Sequence, residues 1–224
     1  SWSPHTVLIY PGPSAYSDMI LTSDGDVALV YERGGTSPYG EIAFARFNEA
    51  WLDIGAPATQ PPAVWDGGAG SGNETWQQAN NWNSNATPTF DSGLEVVFNT
   101  VGAGSLTNAI GGDRTIHSLT FNADADSDVG IYLAEKISSP VTGYVLTFDG
   151  FYGNATVTVA SGATGNFTVG VGGGSGPGSI QLATNLVVNQ NGSGERKYDR
   201  TISGPGGSVK NGNGILFLRQ RSPY

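Results

Sequence analysis

The feature that most constrains this chain is a succession of short β-forming runs separated by turn residues, beginning at Ala63. Residues 94–99, 115–122, 130–134, 144–148, 155–160, 166–171, 179–183, 186–189, 201–202 and 215–218 all read as strands. Gly-, Asn- and Asp-rich turns lie between them, and helical periodicity is nearly absent. Glycine supplies 34 of the 224 residues, about twice its usual share, which suits a chain that turns often. Such a pattern fits a β-sandwich or a parallel β-solenoid. Recurring alternation of polar and apolar residues favours the solenoid, in which inward Val, Ile, Leu and Phe form one continuous core, although no fixed period is visible.

The first fifty residues have a different character. Residues 14–34 read as a β-hairpin: an apolar run at 19–22, turn chemistry at Ser23-Asp24-Gly25-Asp26, and a second run at 27–31. Tyr16 stands just ahead of the first strand and Glu32 ends the second. Residues 6–10 read as a short strand. Residues 41–47 alternate, with Ile42 and Phe44 on one face and Ala43, Ala45 and Phe47 on the other. Trp51 and Leu52 close the segment. Three or four antiparallel strands in this space match one blade of a β-propeller, and one blade cannot bury both faces alone. Residues 53–62 carry three prolines and small residues, the composition of a linker. The expected organisation is 1–52, an incomplete propeller blade; 53–62, a linker; and 63–224, a solenoid. The fold class is all-β.

Charge narrows the partners. Lys and Arg number 10 against 19 Asp and Glu, a net −9. An acidic chain is poorly suited to phosphate backbones or anionic membranes. No apolar run is long enough for a transmembrane helix. Cysteine is absent, which removes thiolate metal sites and disulfides. Ser1 in place of Met, and an end just after a strand, make the chain read as a piece of a longer one.

Few residues stand out as chemistry. Asp18, Asp24 and Asp26 are better explained by hairpin turn chemistry than by a calcium loop. His5 and His117 have no carboxylate pattern around them, so no metal site is expected. Trp65, Trp76 and Trp82 fit either a sugar-stacking platform or a cap on the first turns of the solenoid, and the cap is favoured. Glu195-Arg196-Lys197-Tyr198-Asp199-Arg200 reads as a solvated turn. The glycine-rich 170–178 reads as a flexible loop, since a phosphate cradle needs a following helix and usually a Lys.

Two resemblances add to this reading. Val7-Leu8 to Pro13, Ala15-Tyr16-Ser17-Asp18, Asp24-Gly25, Leu29-Val30-Tyr31-Glu32 and Ile42 to Trp51-Leu52 resemble the C-terminal end of bacterial sialidases. That family is a six-bladed propeller that removes terminal sialic acid from glycans with retention, using a tyrosine nucleophile. The resemblance implies that Tyr16 is the nucleophile and that Glu32 orients an arginine of the substrate clamp. No substrate-binding residue of that clamp matches within the chain: Arg33 and Arg46 are not at clamp positions. The clamp arginines, the acid/base Asp and the Glu partner of the tyrosine belong to earlier blades, so the chain alone is expected to be inactive.

Trp65-Asp66-Gly67, Trp76, Asn81-Trp82 and residues 202–218, with Gly206-Gly207-Ser208-Val209-Lys210-Asn211-Gly212-Asn213-Gly214 at their heart, resemble the autotransporter-associated β-strand repeat of bacterial surface proteins. This implies a β-helical stalk and a secreted or cell-surface location. No cofactor is expected. The alternative function is a structural or adhesive surface solenoid without enzymatic activity.

Overall fold

The computed structural model describes residues 8–48, 60–70, 72–99, 103–134, 142–151, 153–171 and 177–218. Trp51, Leu52, His5, residues 6–7 and most of the 170–178 loop lie outside them. The chain divides into two compact units, Ser1–Ala56 and Pro57–Tyr224.

In the first unit, β1 (Ser14–Leu21), β2 (Val27–Arg33) and β3 (Glu41–Phe47) form an antiparallel sheet in the order β1-β2-β3. The hairpin turn is built as its residues require. Thr22 N–H donates to the Asp26 carbonyl at 2.8 Å and Gly25 N–H to the Thr22 carbonyl at 3.0 Å. Gly25 sits at φ +88°, where a Cβ would be strained. Leu29 and Tyr31 are buried on one face, where the Tyr10 ring lies 6.3 Å from that of Tyr31. Residues 8–10 are not a strand, contrary to expectation. Pro11 and Pro13 follow at once and lack the N–H groups a sheet edge needs. On the other face Ile20, Val30, Ile42 and Phe44 are exposed.

The second unit is parallel throughout its strand pairs. Six strands form one sheet: β4 (Ala63–Trp65), β5 (Glu95–Phe98), β8 (Ser118–Phe121), β11 (Ala155–Val159), β14 (Leu186–Gln190) and β17 (Ser208–Asn211). Five form a second: β6 (Thr107–Ala109), β9 (Val129–Tyr132), β12 (Phe167–Val169), β15 (Arg196–Tyr198) and β18 (Leu216–Leu218). Four form the third: β7 (Arg114–Ile116), β10 (Val145–Phe148), β13 (Ser179–Leu182) and β16 (Thr201–Ser203). From β5 onward the chain visits the three sheets in turn, and each strand pairs with the one three elements earlier. This parallel arrangement is not the antiparallel pairing of a sandwich.

The register explains why no period shows in the sequence. Val96 pairs with Leu119, Leu119 with Val157, Val157 with Val188 and Val188 with Lys210. Successive circuits therefore take 23, 38, 31 and 22 residues. The strands stay in register while the connections vary, as loops on a surface do. Val96, Leu119, Val157 and Val188 are all buried. Each such side chain contributes about 1.5–3 kcal/mol on leaving water.

Three expectations need correction. Residues 115–122 are two strands in different sheets, β7 and β8. The backbone N–H groups of His117 and Ser118 both donate to the Leu94 carbonyl, at 2.8 and 3.2 Å, which turns the corner between them. β6 was not expected because Thr-Asn-Ala lacks a β-forming run; the buried Trp76 holds it, its Nε1 donating to Asn108 Oδ1 at 2.8 Å. The charged cluster 195–200 is no solvated turn: it contains β15, and Arg196, Tyr198, Asp199 and Arg200 are all buried. Parallel pairing with Phe167 and Val169 above turns Arg196 and Tyr198 inward.

Candidate functional site

Tyr16 and Glu32 come from adjacent strands. Ala15 pairs with Glu32 and Ser17 with Tyr31, so Tyr16 has no residue opposite it. This is a β-bulge, which bends the strand and re-aims the extra side chain. Tyr16 thus lies within β1 rather than ahead of it. Its side chain is 80% exposed. Glu32 lies within β2, next to Tyr16 in register and paired with Ile42 on its other side. One of its carboxylate oxygens, Oε2, is buried and has no hydrogen-bond partner among the described residues.

The arginines of this sheet are held elsewhere. Arg33 Nε bonds Glu41 Oε1 at 2.7 Å, and its guanidinium lies 5.1 Å from the Tyr10 ring. Arg46 bonds Asp26 Oδ2 through Nε at 2.7 Å and Asp24 through Nη2. The Thr22 hydroxyl donates to Asp24 at 2.6 Å and, with Arg46 alongside, holds that carboxyl below its usual range. Asp24 and Asp26 thus serve the turn, and Asp18 accepts from the Met19 N–H. Among the described residues no three His, Cys, Asp or Glu side chains come together as metal ligands would.

An open concavity of about 440 Å³ lies against the start of β1, lined by Leu8, Tyr10, Ala15, Ser17, Leu29 and Tyr31 among others. Neither Tyr16 nor Glu32 lines it, and none of the described residues that line it is charged. A tyrosine is a weak nucleophile until a base takes its proton. An exposed phenol beside one carboxylate is therefore not by itself a catalytic site; a base, an acid and groups that hold a substrate would have to be added to it.

The tryptophans offer no sugar platform. Trp65, Trp76 and Trp82 are 1%, 0% and 0% exposed. Trp82 meets Trp65 edge-on with centroids 5.3 Å apart and Trp76 at 5.9 Å. Phe90 stacks on Trp76 at 5.6 Å. Their ring N–H groups donate to Ser105 O, Asn108 Oδ1 and Trp76 O. With faces covered and donors satisfied, they form the aromatic plug of the first circuits.

Arg196 is one of the buried charges, with Asp199 and Arg200, that sequence reasoning missed. Its Nη1 donates to the Gly165 carbonyl at 2.7 Å and to that of Glu195 at 2.9 Å, while Nε and Nη2 are buried without partners among the described residues. Burial pushes its pKa down to about 10, with Tyr198 opposing the shift. In the turn that leads to β15, Gln190 Nε2 donates to the Gly192 and Gly194 carbonyls, and its buried Oε1 has no hydrogen-bond partner among the described residues. The signal for an inward Arg was present in the alternation Arg196-Lys197-Tyr198, which matches Phe167-Thr168-Val169 one circuit earlier.

Among the described residues no helix is long and apolar enough to cross a membrane. The sequence matches no family model, no curated protein and no solved structure.

Proposed function

We propose that the chain carries the end of a retaining exo-α-sialidase propeller, followed by a parallel β-solenoid that spaces it in a secreted or cell-surface protein. One observation carries the enzymatic part: the bulge that exposes Tyr16 lies beside Glu32, whose buried Oε2 has no hydrogen-bond partner among the described residues. A buried carboxylate oxygen without a partner is costly, and a guanidinium is its natural complement. In this reading the arginine that completes Glu32 also grips the carboxylate of sialic acid through its two-pronged edge. A neutral phenol approaches that anionic substrate without the repulsion a carboxylate nucleophile would meet. The exposed Ile20, Val30, Ile42 and Phe44 fit a blade whose face packs on a neighbour. Sialylated glycans are the substrate class, and the chain by itself lacks the groups for turnover.

The test is hydrolysis of a fluorogenic sialoside by this chain and by a form extended upstream to its natural start, each with and without Tyr16→Phe. Activity confined to the extended form and lost with Tyr16→Phe is expected. An inactive extended form, or one indifferent to Tyr16→Phe, overturns the reading. The second reading, a structural or adhesive solenoid without catalysis, is favoured by the apolar columns that fill the second unit. Inactivity of the extended form would select it.

A further inference from the structure

Arg196 points inward from β15, between Phe167 of the preceding circuit and Leu216 of the following one. It is 3% exposed. Its guanidinium carbon lies 3.9 Å from the Phe167 ring centroid, so the ring covers one face of the cation. Nη1 is satisfied by two backbone carbonyls. The two nitrogens left over, Nε and Nη2, are not a random pair. They share one edge of the guanidinium, the fork whose parallel N–H groups receive the two oxygens of a carboxylate.

Among the described residues no carboxylate fills that fork. Glu195 pairs with Lys197 at 2.8 Å on the half-exposed side of the strand. Asp199 acts on Arg200. Tyr198, the ionisable group that bears on Arg196, is a phenol and neutral at pH 7, and burial raises its pKa further. The ring face and the carbonyls stabilise the cation, yet none of them neutralises it. A buried, unneutralised charge is among the costliest groups in a fold.

We propose that the Nε–Nη2 edge of Arg196 binds one small anion, of the carboxylate or halide class, inside the last circuits of the second unit. The corner beside it is tightly packed: a Cβ added at Gly192 or Gly194 would overlap the Ala163 or Gly165 carbonyl oxygen, so the smallest anions, formate and a halide ion, are the probes. A water molecule is the competing occupant. It could accept from the fork, but it would leave the charge in place.

The experiment uses the whole 224-residue chain. Its Tm is followed against sodium formate and sodium bromide, beside the Arg196→Met variant, which reports the general salt effect. With anion in about tenfold excess over its dissociation constant, the unaltered chain gains a saturable rise of about 3–6 °C that Arg196→Met lacks. The same response in both proteins overturns the proposal. Should Arg196→Met fail to fold, crystals of the unaltered chain soaked in bromide decide. An anomalous peak within hydrogen-bond reach of Nε and Nη2 supports the site, and a bridging water without such a peak overturns it.

Discussion

The Arg196 guanidinium carbon lies 3.9 Å from the centroid of the Phe167 ring, at the end of a stack of aromatic rings. Phe98 and Phe121 are 5.5 Å apart and inclined by 19°, and Phe121 and Phe167 are 3.9 Å apart at 22°. A cation closing an aromatic stack gains from the ring quadrupole. It also brings a charge into an interior that is otherwise apolar along that column.

Replacing the cation by an apolar side chain of similar length removes the desolvation cost along with the cation–π contact. In buffer free of small carboxylates and halides, Arg196→Met is expected to leave stability unchanged or raise it by up to about 4 kcal/mol. Urea midpoints at constant slope measure this; a loss of stability would mean that the carbonyl and ring contacts outweigh the buried charge.

Alkaline pH separates two buried groups. Burial lowers Arg196 to about 10 from 12.5, so its cost is complete below pH 10 and fades as the folded form loses a proton the unfolded chain keeps. Burial raises Tyr198 above its ordinary 10.0, so above that pH the unfolded chain ionises first and stability falls. The two oppose each other. From about pH 8 to about pH 11.5, the Tm of Tyr198→Phe is expected to decline less than that of the unaltered chain, and that of Arg196→Met more. Parallel curves would refute the assignment.

Trp82 is fully buried, touches Trp65, Trp76 and Phe90, and donates to the Trp76 carbonyl at 3.0 Å. Trp82→Ala opens a large cavity and is expected to cost about 3–5 kcal/mol. Chemical denaturation of the variant checks this, and a loss under ~1 kcal/mol would show that the plug collapses around the gap.

Gly204 has φ +113°, and a Cβ there would overlap the Leu182 carbonyl of the preceding circuit. Gly204→Ala meets both strain and collision, and a loss of about 1–3 kcal/mol is expected by thermal or urea unfolding. An unchanged midpoint would mean that the corner relaxes freely.

Tyr16→Phe removes a hydroxyl from a side chain that is 80% exposed. Its effect on stability is expected to stay within about 0.5 kcal/mol. A larger shift in Tm would give this tyrosine a structural role and weaken the interpretation of the activity assay.

Local chemistry was legible in the residues. Asp24-Gly25 announced its hairpin because a tight turn needs a residue that tolerates positive φ. Alternation in 155–160 and 186–189 announced strands because successive side chains point to opposite faces. The inward column Val96, Leu119, Val157 and Val188 is written in residues that prefer a pleated, buried surface.

The rest depended on which strand lies beside which. The bulge at Tyr16 exists only because β2 offers Glu32 to Ala15 and Tyr31 to Ser17, with nothing between. The corner at His117 exists because Leu94 presents one carbonyl to two successive N–H groups. Arg196 shows the difference most plainly. By composition, its segment of alternating charges belongs to solvent. Parallel pairing with Phe167 and Leu216 turns the side chain inward and leaves its Nε–Nη2 edge without a partner among the described residues. Propensity and turn chemistry act over a few residues, so the sequence by itself determined the strands and turns. Burial and charge environment arise from partners 20 to 40 residues away, and these only the tertiary structure decided.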